Sequence, residues 1–293
     1  MSDDTVSSSA DDGPRRGALV LVATPIGNLG DLAPRAVQAL RDADAIACED
    51  TRHTRKLLTA AGIEARRLLA VHEHNELVAG PGIVALIERG QQVALVTDAG
   101  MPAISDPGQR IVAAVVAAGL AVTCVPGPSA VVVALALSGL PTERFVFEGF
   151  LPRSGPERTA RLAEVASELR TVVLYEAPHR IIRTLMDLVD VCGPLRRCSV
   201  SRELTKRFEQ TQRGTLGDLV NAATQIEPRG EHVIVVEGAP PDALPATDDD
   251  TIRALLDEHR GRGMRTRDAV DAVAGTTGLP RRRVYAIATA HAP

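Results

Sequence analysis

From residue 18 onward one pattern recurs, and it limits the fold more than anything else in the chain. A short apolar run leads into a loop of glycine, proline and polar residues, and then into a helix closed by glycine. The fullest instance is residues 95–108, LVTDAGMPAISDPG. Residues 93–97 are apolar and β-favouring. The segment Asp98-Ala-Gly100-Met-Pro102 breaks that regularity. Asp106-Pro107 reads as an N-cap followed by proline at the first helical position, opening a helix over about 108–118. Upstream, a strand at 18–23 empties into TPIGNLGD (24–31), ahead of a helix at 34–41. A strand at 43–48 ends in EDTRHTR (49–55), with a helix at 55–61. A strand at 68–71 runs into HEHNE (72–76), followed by a helix at 83–89, and residues 122–125 form a fifth strand. Such alternation predicts a parallel sheet covered on both faces, whose ligands bind beyond the carboxyl ends of the strands.

Past residue 126 the spacing changes. Pro126-Gly127-Pro128-Ser129 opens a very apolar helix, 130–137. Strands are then expected at 145–148, 172–176, 197–202, 208–212 and 233–237, with helices at 158–166, 178–191 and 216–224. Closer strands with fewer helices suit a mixed sheet. Residues 239–250 read as a linker rich in Pro, Ala and Asp. Three short helices are expected at 251–259, 266–274 and 280–290, with Gly275–Gly278 between the last two. Their size suits a helix-turn-helix unit, and a solvated structural cap fits the composition equally well. The fold class is therefore two α/β domains, 17–128 and 129–240, with a small helical domain at 241–293.

Composition narrows the partners. Net charge is −4, so a nucleic acid would have to be held by a local basic patch. With no tryptophan and two tyrosines there is little material for a base-stacking platform. Lysine occurs only at Lys56 and Lys206, leaving arginine as the main cation. The four cysteines show no C-x-x-C spacing, and Cys48 and Cys124 fall on expected core strands, which reads as reduced thiols of a cytoplasmic protein. Residues 1–16 are acidic and serine-rich without an apolar core, the composition of a disordered tail. The longest apolar stretch, 111–125, is broken by Gly119 and falls short of the ~20 residues a membrane helix needs.

No G-x-G-x-x-G follows a strand, and neither a P-loop nor a G-x-S-x-G elbow is present. His72-x-His74 has no evident third metal ligand, so a hydrogen-bonding loop is expected there and no metal site. The polar clusters 24–31, 49–55, 72–76, 98–106, 175–180 and 201–207 all follow strands, in both halves of the chain. A cleft between two sheets is the economical arrangement.

Taken in order, TPIGNLGD, EDTRHT, HEHNE, DAGMPAISDPG, PGPSA, GFLPR, YEAPHR and SRELTK resemble the ribosomal-RNA branch of the tetrapyrrole methylase superfamily. The resemblance spans about residues 19–238 and extends through the helical end. It implies S-adenosylmethionine bound between two α/β domains. It also implies a homodimer that methylates the ribose 2′-hydroxyl of a cytidine in the decoding region of small-subunit rRNA, with the assembled subunit as partner. By the same resemblance Asp98, Gly100 and Pro102 touch the cofactor, Thr24, Pro25, Gly127 and Ser129 lie along it, and Leu151, Tyr175 and Glu176 close over it. Met101 stands where many relatives carry a small polar residue. A ribose hydroxyl is a poor nucleophile, so a base is expected, with Glu176, Asp50 and His53 as candidates. Arg52, Arg55, Lys56, Arg180, Arg202 and Lys206, together with Arg281, Arg282 and Arg283, are the expected RNA contacts. A corrin or porphyrin methyltransferase and a non-catalytic RNA-binding module are the alternatives.

Overall fold

The computed structural model describes residues 17–64, 67–223, 230–240, 249–277, 279 and 281–289. The expected tail at 1–16 and most of the expected linker lie outside them.

Five strands, β1 (Ala18–Val22), β2 (Ala45–Cys48), β3 (Leu68–Ala70), β4 (Gln92–Val96) and β5 (Ala121–Val125), form an all-parallel sheet in the order β3-β2-β4-β1-β5. Its central strands are buried on both faces, which is why they read as unbroken apolar runs. Helices α1 (Pro34–Asp42) and α2 (Thr51–Ala60) cover one face, while α3 (Glu76–Glu88) and α4 (Gln109–Ala117) cover the other. Because β1, β4 and β2 are neighbours, the loops leaving their carboxyl ends lie side by side.

Helix α5 (Ala130–Ser138) leads to the second sheet, with order β6-β7-β10-β8-β9. Its strands are β6 (Phe145–Phe150), β7 (Thr171–Glu176), β8 (Arg197–Arg202), β9 (Gln210–Thr215) and β10 (His232–Val236). Only β6 and β7 run parallel, and the remaining pairs are antiparallel. The ends of β6, β7 and β8 and the start of β10 therefore share one edge. Helices α6 (Gly155–Ser167), α7 (Ile181–Cys192) and α8 (Leu216–Ala223) pack on the far face. At the end of the chain α9 (Asp249–Gly261), α10 (Thr266–Thr277) and α11 (Arg281–Thr289) enclose a core of their own around Ile252, Leu256, Val270, Val273 and Val284.

Several expectations are corrected. Asp106 does not cap α4. Gly108 stands at that position with φ +134°, and its N–H donates to the buried carboxylate of Glu76 on α3. A side chain at 108 would strike Leu95, its Cβ lying 2.9 Å from Leu95 Cδ2. Helix α3 begins at Glu76, seven residues earlier than expected, and accommodates Pro81 because its Ile83, Leu86 and Ile87 face is buried. Residues 51–55 are the first turns of α2 rather than a loop, with Asp50 as N-cap. Cys124 is exposed, because β5 is an edge strand whose outer positions are uncovered, whereas Cys48 is buried as expected. Phe208 stands exposed ahead of β9, and residues 275–277 belong to α10.

Candidate active site

A cavity of about 470 Å³ opens between the two sheets, within the usual size range of small-molecule sites. From the first sheet come Ile26, Glu49 and the 98–106 loop. From the second come Phe150, Tyr175, Glu203, Leu204, Lys206, Glu231 and Val233. The β4 loop is pinned to the β1 loop by a pair of backbone hydrogen bonds, Thr24 N–H to Gly100 O (2.9 Å) and Gly100 N–H to Thr24 O (3.1 Å). Thr24 also donates its hydroxyl to Thr97 O. Gly100 holds φ +82°, and both Ala103 and Ser105 adopt left-handed backbone, so this loop is a strained, fixed shelf. Across the cavity Glu203 and Thr205 do the same.

The lining is acidic. Among the described residues, five carboxylates, Glu49, Asp98, Asp106, Glu203 and Glu231, face it beside one ammonium, Lys206, which itself pairs with Glu203 at 2.8 Å. Burial, then the neighbouring Glu49 charge, pushes Asp106 up to about 7, with the Thr97 hydroxyl opposing the shift. Glu49 is raised too, first by burial and then by Asp98. Burial lifts the Tyr175 phenol to about 12, so it stays neutral. Phe147 and Phe150 pack against the Tyr175 ring, with centroids 5.0 and 5.5 Å away.

Beyond Asp98 and Ala99, which line both spaces, lies a second cavity of about 540 Å³. Thr24, Pro25, Gly27, Leu29, His53, Thr54, Lys56, Leu57 and Thr97 complete its wall. Here His53 Nδ1 lies 2.8 Å from Asp98 Oδ2, and the Asp50 N–H donates to Asp98 Oδ1 at 3.3 Å. The capping of α2 by Asp50 thus fixes the helix that presents His53.

Asp98, Gly100, Ser129 and Tyr175 line the first cavity, as does Lys206. Thr24 and Pro25 line the second cavity instead. Gly127 packs against Ala23, where a Cβ would come within 2.9 Å, and Pro102 is buried behind the loop. Leu151 is buried in the core of the second sheet, and Phe150 takes its place because a register shift after Phe147 reverses the alternation of β6. Glu176 also faces away from the cleft, here through the ordinary alternation of β7. It is fully buried on the face of β7 opposite Tyr175, where it accepts from Thr184 Oγ1 (2.6 Å) and pairs with Arg180 (3.1 Å). Arg180 also donates to the Leu151 carbonyl, so neither residue is presented to a ligand. Asp50 is held down to about 2 by Arg52, which makes it a feeble base.

Arg52, Arg55 and Lys56 are exposed on α2, and Arg202 donates to Gln210. Arg281 pairs with Asp271, while the side chains of Arg282 and Arg283 lie outside the described residues. Glu49, Asp106 and Glu203 fall within polar clusters expected to line the cleft but had no individual role assigned, and Glu231 lay in none of those clusters, since a strand end does not reveal which acids turn inward. Among the described residues no group of three or more His, Cys, Asp or Glu could hold a metal ion.

Residues 18–220 match the family described as Tetrapyrrole (Corrin/Porphyrin) Methylases, and residues 242–292 match the RsmI C-terminal HTH domain. The chain is 49% identical over 272 residues to the Ribosomal RNA small subunit methyltransferase I of Xylella fastidiosa, covering 92% of this chain and 98% of that protein. To the protein of the same name from Synechocystis it is 46% identical over 269 residues, 92% of this chain and 96% of that one. Among solved structures, the methyltransferase CobJ superposes with TM-score 0.57 at 21% identity, over 76% of this chain and 95% of that one. Diphthine synthase does so with TM-score 0.57 at 16% identity, over 75% and 89%. At such identities these two establish the fold alone.

Proposed function

Because the chain belongs to the tetrapyrrole methylase family, and within it to the ribosomal RNA small subunit methyltransferases I, we propose that it methylates small-subunit rRNA from S-adenosylmethionine. The acceptor is the ribose 2′-hydroxyl of a cytidine in the decoding region. The observation that carries this reading is the pair of cavities meeting at Asp98, one acidic and one flanked by the cations of α2. A five-to-one excess of carboxylates suits a ligand with a sulfonium, an ammonium and ribose hydroxyls. Asp98, Gly100, Ser129, Phe150 and Tyr175 would hold it, with Glu49, Asp106 and Glu231 supplying the negative field. When bound, S-adenosylmethionine supplies an electrophilic methyl group on a charged sulfur that departs neutral. The protein's main work is then to position donor and acceptor, since the leaving group needs no protonation.

His53 is the base best supported by the geometry. With Nδ1 carrying its proton, His53 donates to Asp98, which orients the ring and leaves Nε2 to accept the hydroxyl proton. Glu176 and Arg180 have a structural part, tying β7 to the Leu151 backbone. Arg52, Arg55 and Lys56 hold the RNA backbone beside the second cavity. Relatives matched over 92% of the chain, helical end included, favour this reading over a tetrapyrrole substrate. Domains at 17–128 and 129–240 follow the two sheets, with 241–293 as the helical unit. The uncovered side of edge strand β5 supports a homodimer. No described helix is long and apolar enough to cross a membrane, which accords with work on ribosomal subunits in the cytoplasm.

The test is transfer of labelled methyl from S-adenosylmethionine to small subunits lacking the modification, with the product nucleoside identified. A 2′-O-methylated cytidine is expected. Methylation of a tetrapyrrole and none of rRNA would overturn the reading.

A further inference from the structure

We infer that the second cavity receives the acceptor nucleoside, drawn out of its stack with the base inside and the ribose against Asp98. This rests on the methyltransferase reading above. Asp98 and Ala99 line both cavities, so a ribose placed beside Asp98 lies where the second space meets the cofactor cleft. The second space has a volume of about 540 Å³, and a ribose that reaches Asp98 carries its base in with it. Its sides are apolar where a flat base needs contact. Pro25 and Leu57 form them, and Leu29, 58% exposed, has no apolar cover of its own. With no tryptophan in the chain, such aliphatic walls replace an aromatic platform. Its polar groups are at the bottom and the rim. His53 stands beside Asp98, and Lys56 lies one turn further along α2, placed for the phosphate of the same nucleotide. The opposite lip is the glycine loop at 27, where a Cβ would come within 2.5 Å of the Lys206 side chain. That close approach brings the β1 loop against Lys206 of the second sheet, beside the junction of the two spaces.

Two substitutions in the cavity wall test the placement, each assayed in the full-length protein. Leu57→Trp fills the cavity, and Leu29→Asp puts a charge into an exposed part of its wall. S-adenosylmethionine affinity by calorimetry should stay at the wild-type value in both. Single-turnover methylation of small subunits should fall about a hundredfold for Leu57→Trp, as expected when a reacting group is displaced. For Leu29→Asp a fall of about tenfold is expected, with folding unaffected because the residue is exposed. Binding to the subunits should change little, since α2 keeps its cations. Wild-type turnover in both variants overturns the inference, and so does loss of cofactor affinity in both, which would assign the cavity to the cofactor. If the wild-type protein itself methylates no small-subunit rRNA, the underlying reading fails instead.

Discussion

Asp98 and Glu176 look alike in the sequence. Each is a carboxylate at the end of an apolar strand, beside a loop of site-like composition. The structure gives them opposite fates. Asp98 lies two residues beyond β4, on a fixed shelf, and touches both cavities. Glu176 is the last residue of β7, and its neighbour Tyr175 takes the cleft face. Alternation along a strand sends Glu176 to the other side, into contact with Thr184 and Arg180. A carboxylate in a loop past a strand can serve a ligand from either side. One still inside the strand is committed by parity, here to holding the second sheet together.

The contrast breaks most sharply at His53, the partner of Asp98. His53→Asn should reduce single-turnover methylation by about 10²–10⁴-fold while S-adenosylmethionine affinity is kept, the range for loss of a general base. A near-normal rate would mean that positioning alone suffices. Glu176→Gln should do the reverse. Replacing the buried carboxylate leaves Arg180 without its ion pair, and loss of one partner of a buried pair costs about 3–5 kcal/mol. Thermal or denaturant unfolding should register that loss, while methylation per folded molecule stays close to wild type. If Glu176→Gln folds normally and stops methylating, the two carboxylates have exchanged roles.

The same parity argument marks what the sequence disclosed. The all-parallel first sheet was legible because its strands are continuous apolar runs separated by helices with glycine stops. The mixed second sheet was legible in outline, from spacing alone. Faces were not. The register shift between Phe147 and Gly149 exchanges Leu151 for Phe150 at the cleft, and one glycine at φ +62° gives no local sign of doing so. The helix cap at Gly108 comes from Glu76, thirty-two residues away, so Asp106-Pro107 imitated a cap that tertiary structure supplies elsewhere. Recognition of Asp98, Gly100, Ser129 and Tyr175 came with the resemblance, and the acids around them needed the folded cavity to be seen.

Asp106 sharpens the comparison through pH. Burial and the charge of Glu49 raise it to about 7, with Glu231 and Asp98 adding to the effect and Thr97 opposing it. The folded protein therefore holds this proton more tightly than the unfolded chain, where the group titrates at about 3.9. Its contribution to stability is present in acid and is lost as pH rises from about 4 towards 7. A cationic ligand in the cavity favours the ionised form. Cofactor affinity should accordingly rise with pH up to about 7, by no more than about tenfold per unit, and level off above it. Calorimetry near pH 7 in buffers of different ionisation enthalpy should show proton release on binding, and Asp106→Asn should abolish the part due to this residue. Affinity that is flat from pH 6 to 8 would remove Asp106 from the cofactor's field.

The smallest effect is expected farthest from Asp98, in the helical unit. α9, α10 and α11 carry their own apolar core, so they are built as a separate body rather than as a patch on the second sheet. The chain is net acidic, and RNA affinity must come from local cations. On α11 those are Arg281, Arg282 and Arg283, but they are not equivalent. Arg281 is tied to Asp271 on α10, which keeps its charge partly occupied within the unit. Replacing all three by alanine should leave cofactor binding untouched. It should flatten the salt dependence of subunit binding by about 0.7–0.9 log unit per lost phosphate contact, through reduced counterion release. Arg281→Ala alone should flatten it least, because a guanidinium already paired with Asp271 makes the weakest phosphate contact of the three. Binding to small subunits measured at several salt concentrations, with molecular mass in parallel, separates this from a purely structural role. A structural cap would show as altered mass or solubility with an unchanged slope, whereas an RNA contact would show as a shallower slope in a protein of unchanged mass.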